Sequence, residues 1–281
     1  MAITNDMIKK LRESTGAGMM DCKRALEESA GSMDAAVEYL RKKGAAVAQK
    51  RSDRAAKEGV IVTRVSPDGK TGVIVEVNCE TDFVGRSDAF TAFAGAVAEA
   101  IAAHRPRTLE DLRALKTPSG RTVADLTNDL LAKVGEKIEV RRFSVLESGD
   151  GAVYSYTHLG NKIGVLVECV NLAPGTAVGR DVAMQIAAMN PATVTREEVA
   201  REVVERELDI YRTQAKNEGK PAQIVDRIAT GRLEKFYQEV CLLEQIFIKD
   251  GGKTVREYLA EAGNSAAVRR FHRYHLGEEA R

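Results

Sequence analysis

Apolar residues recur at helical spacing from the start of the chain. Met7, Ile8 and Leu11 mark one face, "TGAG" (15–18) interrupts it, and Met19, Cys22, Ala25 and Leu26 mark a second. Gly31-Ser32 ends that helix and caps a third, in which Ala36, Val37 and Leu40 repeat. The pattern predicts three short helices over residues 3–43, a unit with little core of its own. The basic, Ala-rich stretch "GAAVAQKRSDRAAKE" (44–58) has no strong apolar stripe and reads as a link.

The period then changes from helical to alternating. "GVIVTRVSPDGKTGVIVEVN" (59–78) aligns without a gap on "GAVYSYTHLGNKIGVLVECV" (151–170), at an offset of 92 residues. Gly59 matches Gly151, Gly72 matches Gly164, Val75 matches Val167 and Glu76 matches Glu168. Each copy predicts two strands around a turn, "SPDG" in one and "HLGN" in the other. A helix follows each hairpin; in the first copy Phe90, Phe93, Ala94, Val97 and Ile101 share a face. The helices end alike, "IAAHRP" and "IAAMNP", but at an offset of 85, so the first copy holds seven extra residues between strand and helix. Those residues include Thr81-Asp82-Phe83-Val84. A large apolar side chain there either turns back into the core or is held out for another molecule.

"EKIEVRRFSVLE" (136–147) predicts a further strand of the first copy, after a helix around Leu126, Leu130 and Val134. "EKFYQEVCLLEQIFI" (234–248) and "AAVRRFHRYHLG" (266–277) predict strands closing the second. Between them lies a helical hairpin at about 195–238. Thr195 and Glu198 form a predicted capping box. Val199, Val203, Leu208, Tyr211 and Ala215 form one stripe, and Ile224, Val225, Ile228, Leu233 and Phe236 the returning one. "NEGKP" (217–221) forms the break, and the arms are predicted to pack as an antiparallel coiled coil. The predicted fold class is α+β, with an N-terminal three-helix unit at 1–50, a basic linker at 51–58, core subdomain 1 at 59–147 and core subdomain 2 at 148–281.

Composition narrows the function. Of 281 residues, 42 are Lys or Arg and 41 Asp or Glu, a balance that argues against wholesale coating of nucleic acid. No apolar run reaches 18 residues, and "MAITNDMIKK" lacks the apolar core of a signal peptide, so the expectation is a cytoplasmic protein without a membrane span. Cys22, Cys79, Cys169 and Cys241 are far apart and read as buried free thiols rather than a metal site. "GGKT" (251–254) has Phe247 where a phosphate loop needs its leading Gly, and "NKIG" (161–164) has Gly164 where a guanine-reading motif needs an acid. No catalytic constellation, metal site or cofactor motif is present in the sequence. The basic, aromatic "RRFHRYH" (269–275) leaves RNA contact open beside a solvated strand face.

Two segments, "LRESTGAGMMDCKRAL" (11–26) and "EVNCETDFVGRSD" (76–88), resemble the two signature motifs of bacterial elongation factor Ts, the nucleotide exchange factor of the GTPase elongation factor Tu. The resemblance extends over essentially the whole chain and implies a ubiquitin-associated-like (UBA-like) three-helix domain, a duplicated core and a coiled-coil hairpin. It implies no covalent chemistry, no cofactor and no direct small-molecule substrate. By resemblance, Asp82 and Phe83, within the loop Thr81, Asp82, Phe83 and Val84, push into the partner's GTPase domain beside its magnesium and phosphate site. Arg12, Met19 and Met20 match positions that grip a helix of that same domain. His158 and Val134-Gly135 resemble further contacts, and the hairpin an element that reaches a second region of the GTPase. Gly85 stands where the family usually has Ser or Ala, which predicts a looser loop. Against this stand an RNA-binding or ribosome-associated protein using the basic linker and "RRFHRYH", and a chaperone-like scaffold using the hairpin. On the exchange reading nucleic acid is not an expected partner.

Overall fold

The structure, a computed structural model, describes residues 3–50, 53–117, 119–263 and 265–278, with side chains throughout except at 45–50. Positions 51 and 52 of the predicted linker lie outside the described residues, as do positions 1–2, 118, 264 and 279–281 of the other predicted ranges. Helices α1 (Asn5–Thr15), α2 (Met19–Glu28) and α3 (Met33–Lys50) share a core of Ile8, Leu11, Cys22, Ala25, Leu26, Ala36 and Leu40. Gly16 closes α1 at φ 70°, and α3 continues through residue 50, into the stretch read as a link.

Two three-stranded antiparallel sheets follow. The first orders β1 (Glu58–Val65), β2 (Thr71–Cys79) and β3 (Glu139–Glu147); the second orders β4 (Gly151–Thr157), β5 (Ile163–Val170) and β8 (Ala267–His275). Helix α4 (Asp82–Gly85) precedes α5 (Asp88–His104), which covers the first sheet with all five predicted residues of its stripe buried. Helices α6 (Leu109–Ala114) and α7 (Val123–Val134) complete that layer. Helix α8 (Ala177–Met189) covers the second sheet. The C-caps of α5 and α8, Arg105 and Asn190, adopt the same left-handed conformation at φ 49° and 47°.

The residues matched between the copies have matched tasks. A side chain at Gly72 would meet Val153 and Leu166 of the second sheet; one at Gly164 would meet Ile61, Thr63 and Ile74 of the first. The two glycines let the sheets approach over a shared core of Ile61, Ile74, Leu146, Val153, Leu166 and Tyr274. Gly164→Ala would place its methyl 2.5 Å from the Ile61 Cγ2. It is expected to destabilise the chain by about 1–3 kcal/mol, read as a lower urea midpoint at unchanged slope.

Glu76 and Glu168 are both fully buried. Each sits at a register shift, where the partner strand carries two consecutive arginines: Arg141 and Arg142 against Glu76, Arg269 and Arg270 against Glu168. The bulge adds one residue to the partner strand and so lets both arginines reach one carboxylate.

Three expectations are corrected. The segment 234–248 does not form a strand of the second sheet. Helix α10 (Ala222–Val240) runs through its first half, because Leu233, Phe236 and Val240 continue the helical spacing, and β8 alone supplies the third strand. Within the segment Ile246–Phe247 (β6) forms a short strand, which pairs with β7 (Asp250–Thr254) ahead of α11 (Val255–Ala262). Thr195 and Glu198 form no capping box: the Glu198 carboxylate accepts from the Val194 N–H (3.0 Å), Arg196–Glu198 is a 3-10 turn, and α9 (Arg201–Asn217) begins after Ala200. Val199 therefore precedes the helix. The arms α9 and α10 pair antiparallel, with Arg212 bonded to Asp226 (2.7 Å) and Arg232 to Glu218 (2.7 Å) beside the turn. Lastly, the seven extra residues of the first copy do not form one inserted loop. Four lengthen α5 relative to α8, two lengthen the connection and one the strand. The second copy also has a connection, at 171–176, but without a helix in it.

Candidate functional site

The connection from β2 to α5 is built on three anchors. Thr81 is the N-cap of α4: its Oγ1 accepts from the Val84 N–H (3.5 Å). The same hydroxyl donates to Glu136 (2.7 Å), and the Thr81 N–H donates to the other oxygen of that carboxylate (3.0 Å). Val84 packs against the core under the first sheet. Gly85 is buried, with the Cys79 Sγ and the Gly59 backbone 3.4 Å from where a side chain would begin. Gly85 thus rests against β1, at a distance where a Cβ would make ordinary van der Waals contact.

With residues 81, 84 and 85 turned inward, one turn of helix leaves 82, 83 and 86 outward. Phe83 is 84% exposed. Asp82 pairs with Arg86 one turn on (3.1 Å) in a largely solvated contact. Beneath the loop, burial, with Glu136 and Glu58 nearby, pushes the Cys79 thiol up to about 12. It is a neutral packing group whose S–H reaches the Thr81 carbonyl (3.1 Å). The four cysteines are buried and free.

The second hairpin turn comes up beside this loop. A shallow groove of about 230 Å³ is lined by Asp82, Gly85 and Arg86 on one side and by Gly160, Asn161 and Lys162 on the other, with Glu58–Val60 between. The Asn161 carbonyl accepts from the Ile61 N–H (2.7 Å), tying the turn to β1. His158 is exposed, its Nδ1 hydrogen-bonded to the Tyr156 hydroxyl (3.0 Å). Leu159, next to it, is 91% exposed. Sequence reasoning passed over Leu159, although it carries the same signal as Phe83, a large apolar residue in a polar turn.

Val134 packs against the first core, and Gly135 closes α7 at φ 71°, one residue before Glu136. These two positions therefore abut the Phe83 loop through the Thr81–Glu136 bonds. Met19 and Met20, 54% and 69% exposed, open α2 and are not part of the helical core; Arg12 is exposed on α1. They connect to the Phe83 loop through α7: α3 packs along that helix, and Gly16 lies against the Lys133 side chain.

The "RRFHRYH" strand is occupied by its own protein. Arg269 pairs with Asp150 (2.8 Å) and Glu168 (3.0 Å), Arg270 with Glu168 (2.8 Å), and Arg273 with Glu278 (3.7 Å) and the Ala187 carbonyl (3.3 Å). His272 is half-buried, and burial, with Arg270 adding repulsion, holds its pKa below the usual value. These contacts neutralise the charge an RNA backbone would seek. Among the described residues no group of three His, Cys, Asp or Glu side chains is placed to hold a metal, and no helix is long and apolar enough to cross a membrane.

A family model described as elongation factor TS matches residues 80–278. An elongation factor Ts of Clostridium perfringens is 47% identical over 283 residues, covering 98% of this chain and 93% of its own. Those of Prosthecochloris aestuarii and Chloroherpeton thalassium are each 47% identical, over 279 and 289 residues, covering 96% and 99% of this chain and 97% and 99% of theirs. A match of this extent, over helices, both sheets and the paired arms alike, means that the chain belongs to the elongation factor Ts family of translation elongation factors.

Proposed function

We propose that this protein promotes GDP release from elongation factor Tu in the cytoplasm by wedging Phe83 beside the magnesium and phosphate site of the GTPase domain. The observation that carries the reading is the outward Phe83, 84% exposed on a helix whose neighbours on both sides are anchored. An exposed aromatic on a seated turn loses little freedom when it enters a pocket. Asp82 beside it brings negative charge towards phosphates that repel it. His158, Leu159, Val134 and Gly135 flank the wedge and contact the same partner.

Nucleoside diphosphate is held in such a GTPase by phosphate-cradling amides and a magnesium ion with strict octahedral geometry, so a small displacement of its ligands weakens binding. Burying a Phe side chain yields roughly 1.5–3 kcal/mol, and each 1.4 kcal/mol is about tenfold in affinity. A wide interface therefore holds the strained state, and the loop directs that energy to the magnesium. Residues 1–50 act as a UBA-like domain, with 51–58 as linker, in which Arg12, Met19 and Met20 grip a helix of the GTPase domain. The methionines supply adaptable apolar contact and the arginine an ion pair. Subdomains 59–147 and 148–281 present the loop and the neighbouring turn, and α9 with α10 acts as a coiled coil that reaches a second region of the partner. No covalent bond changes, and the protein needs no cofactor.

The test is release of fluorescent GDP from purified elongation factor Tu. The chain is expected to accelerate release, with an effect that saturates and survives 200 mM salt. No acceleration by the folded chain, together with steeply salt-dependent RNA binding, would replace exchange with the RNA reading.

A further inference from the structure

The four-residue helix that carries Phe83 is too short to hold itself, because forming a first turn fixes several dihedrals for one hydrogen bond. Its position comes from outside. Two of its anchors, Val84 and Gly85, are apolar contacts without direction. The third is directional: the Glu136 carboxylate takes both the N–H and the hydroxyl of Thr81, and so fixes the residue that caps the helix.

The bond is answered in reverse. Glu80, the residue before Thr81, places one carboxylate oxygen on the Lys137 N–H (2.7 Å), the residue after Glu136, and the other on Arg54 (3.0 Å). The Lys137 ammonium donates to the Arg54 carbonyl (3.2 Å). Glu80 and Glu136 thus each take the backbone N–H of the residue that follows the other, across 57 and 55 residues of sequence. Glu136 also follows Gly135, the C-cap of α7, the helix on which α3 and the Gly16 turn rest. The loop is thereby set in a fixed relation to the helices bearing Met19 and Met20.

We infer that Glu136 is a positioning residue for nucleotide release: it touches neither nucleotide nor magnesium, but holds Phe83 at the depth and angle at which it enters the GTPase domain. The inference rests on the exchange reading proposed above and adds a residue to it. A wedge acts over short distances, and misplacing a reacting or contacting group by about 1 Å can lower a rate by up to about a hundredfold. Freed from Glu136, Thr81 exchanges its bonds for water, so the chain stays folded while α4 gains freedom.

The experiment measures GDP release from elongation factor Tu at increasing concentrations of the full chain, comparing wild type, Glu136→Ala, Glu136→Gln, Phe83→Ala and the Glu136→Ala/Phe83→Ala double variant. Glutamine can still accept from the Thr81 N–H and donate to its hydroxyl. The expected result is a plateau rate about tenfold lower for Glu136→Ala, with half-saturation changed less than about threefold, because the wide interface is intact. Glu136→Gln should recover to within about threefold of wild type. In the Phe83→Ala background, removing Glu136 should slow release no further, since its effect passes through the absent ring.

A wild-type plateau for Glu136→Ala while Phe83→Ala is slow would overturn the inference and leave the exchange reading standing. Equal fold-losses from Glu136→Ala in both backgrounds would also overturn it, by showing a role unconnected to Phe83. Phe83→Ala as fast as wild type would remove the wedge itself and the inference with it. If Glu136→Ala does not fold, Thr81→Val against Thr81→Ser applies the same test from the other side of the bond. Valine alone should lower the plateau; equal plateaus would overturn the inference.

Discussion

Phe83→Ala is expected to lower the plateau rate of GDP release by roughly tenfold to a hundredfold while leaving the stability of the free chain within about 0.5 kcal/mol of wild type. The two halves of this prediction come from the same fact. A ring that is 84% exposed contributes almost nothing to its own fold, so truncating it opens no cavity. On the proposed exchange reading, what the ring contributes lies in the complex. Stopped-flow release of a fluorescent nucleotide reads the first half and thermal unfolding the second. A plateau equal to wild type would assign nucleotide release to the wide interface alone. A large fall in melting temperature would mean that the ring packs at home in solution.

Arg142→Ala is expected to cause the largest loss of stability among single substitutions of the ion-pair network, about 3 kcal/mol or more. Glu76 is fully buried and takes the Arg142 Nε at 2.6 Å, the Gly277 N–H at 3.0 Å and Arg141 at 3.5 Å. Removing Arg142 leaves the carboxylate with one longer cationic contact. It also removes the guanidinium stacked 4.2 Å above the Tyr274 ring and bonded to the His275 carbonyl (3.1 Å), both on the second sheet. The matched change in the second copy, Arg270→Ala, should do less harm. The Arg270 side chain is more exposed than that of Arg142, and Arg269 still reaches Glu168 at 3.0 Å. Urea unfolding of the two variants side by side tests the asymmetry. Equal losses would mean that the burial of the arginine does not set the cost of losing it. Replacing Glu76 and Arg142 together by leucine should cost less than Arg142→Ala alone, because no buried charge is then left unpaired.

Much of this architecture could be read from the chain because duplication prints the same demand twice. Gly72 and Gly164 appear as a matched pair in the alignment and become the two points where the sheets meet. Glu76 and Glu168 match likewise, yet their arginines do not appear in that alignment, since they lie on third strands reached by different routes. The stripe of α5 was legible because seventeen residues sample the helical period several times. In α4 the period is sampled once, so the sequence left Phe83 free to point either way. The role proposed for Glu136 was not legible for a further reason. The residue reads as an ordinary charge at the start of a strand, and its partner Thr81 is 55 residues away. The capping box at Thr195 failed because a local motif competes with other donors: the Val194 N–H was available, and Glu198 took it. The segment 234–248 misled because its bulky residues fit an extended strand as well as the end of a long helix.

Nucleotide exchange is tested most directly by the affinity of elongation factor Tu for GDP with and without this protein at saturation. The exchange account predicts a weaker GDP affinity in its presence and, by linkage, a loss of this protein's own affinity for the GTPase by the same factor when GDP is bound. GDP affinity that is identical with and without the bound chain would contradict the account, however tightly the two proteins associate.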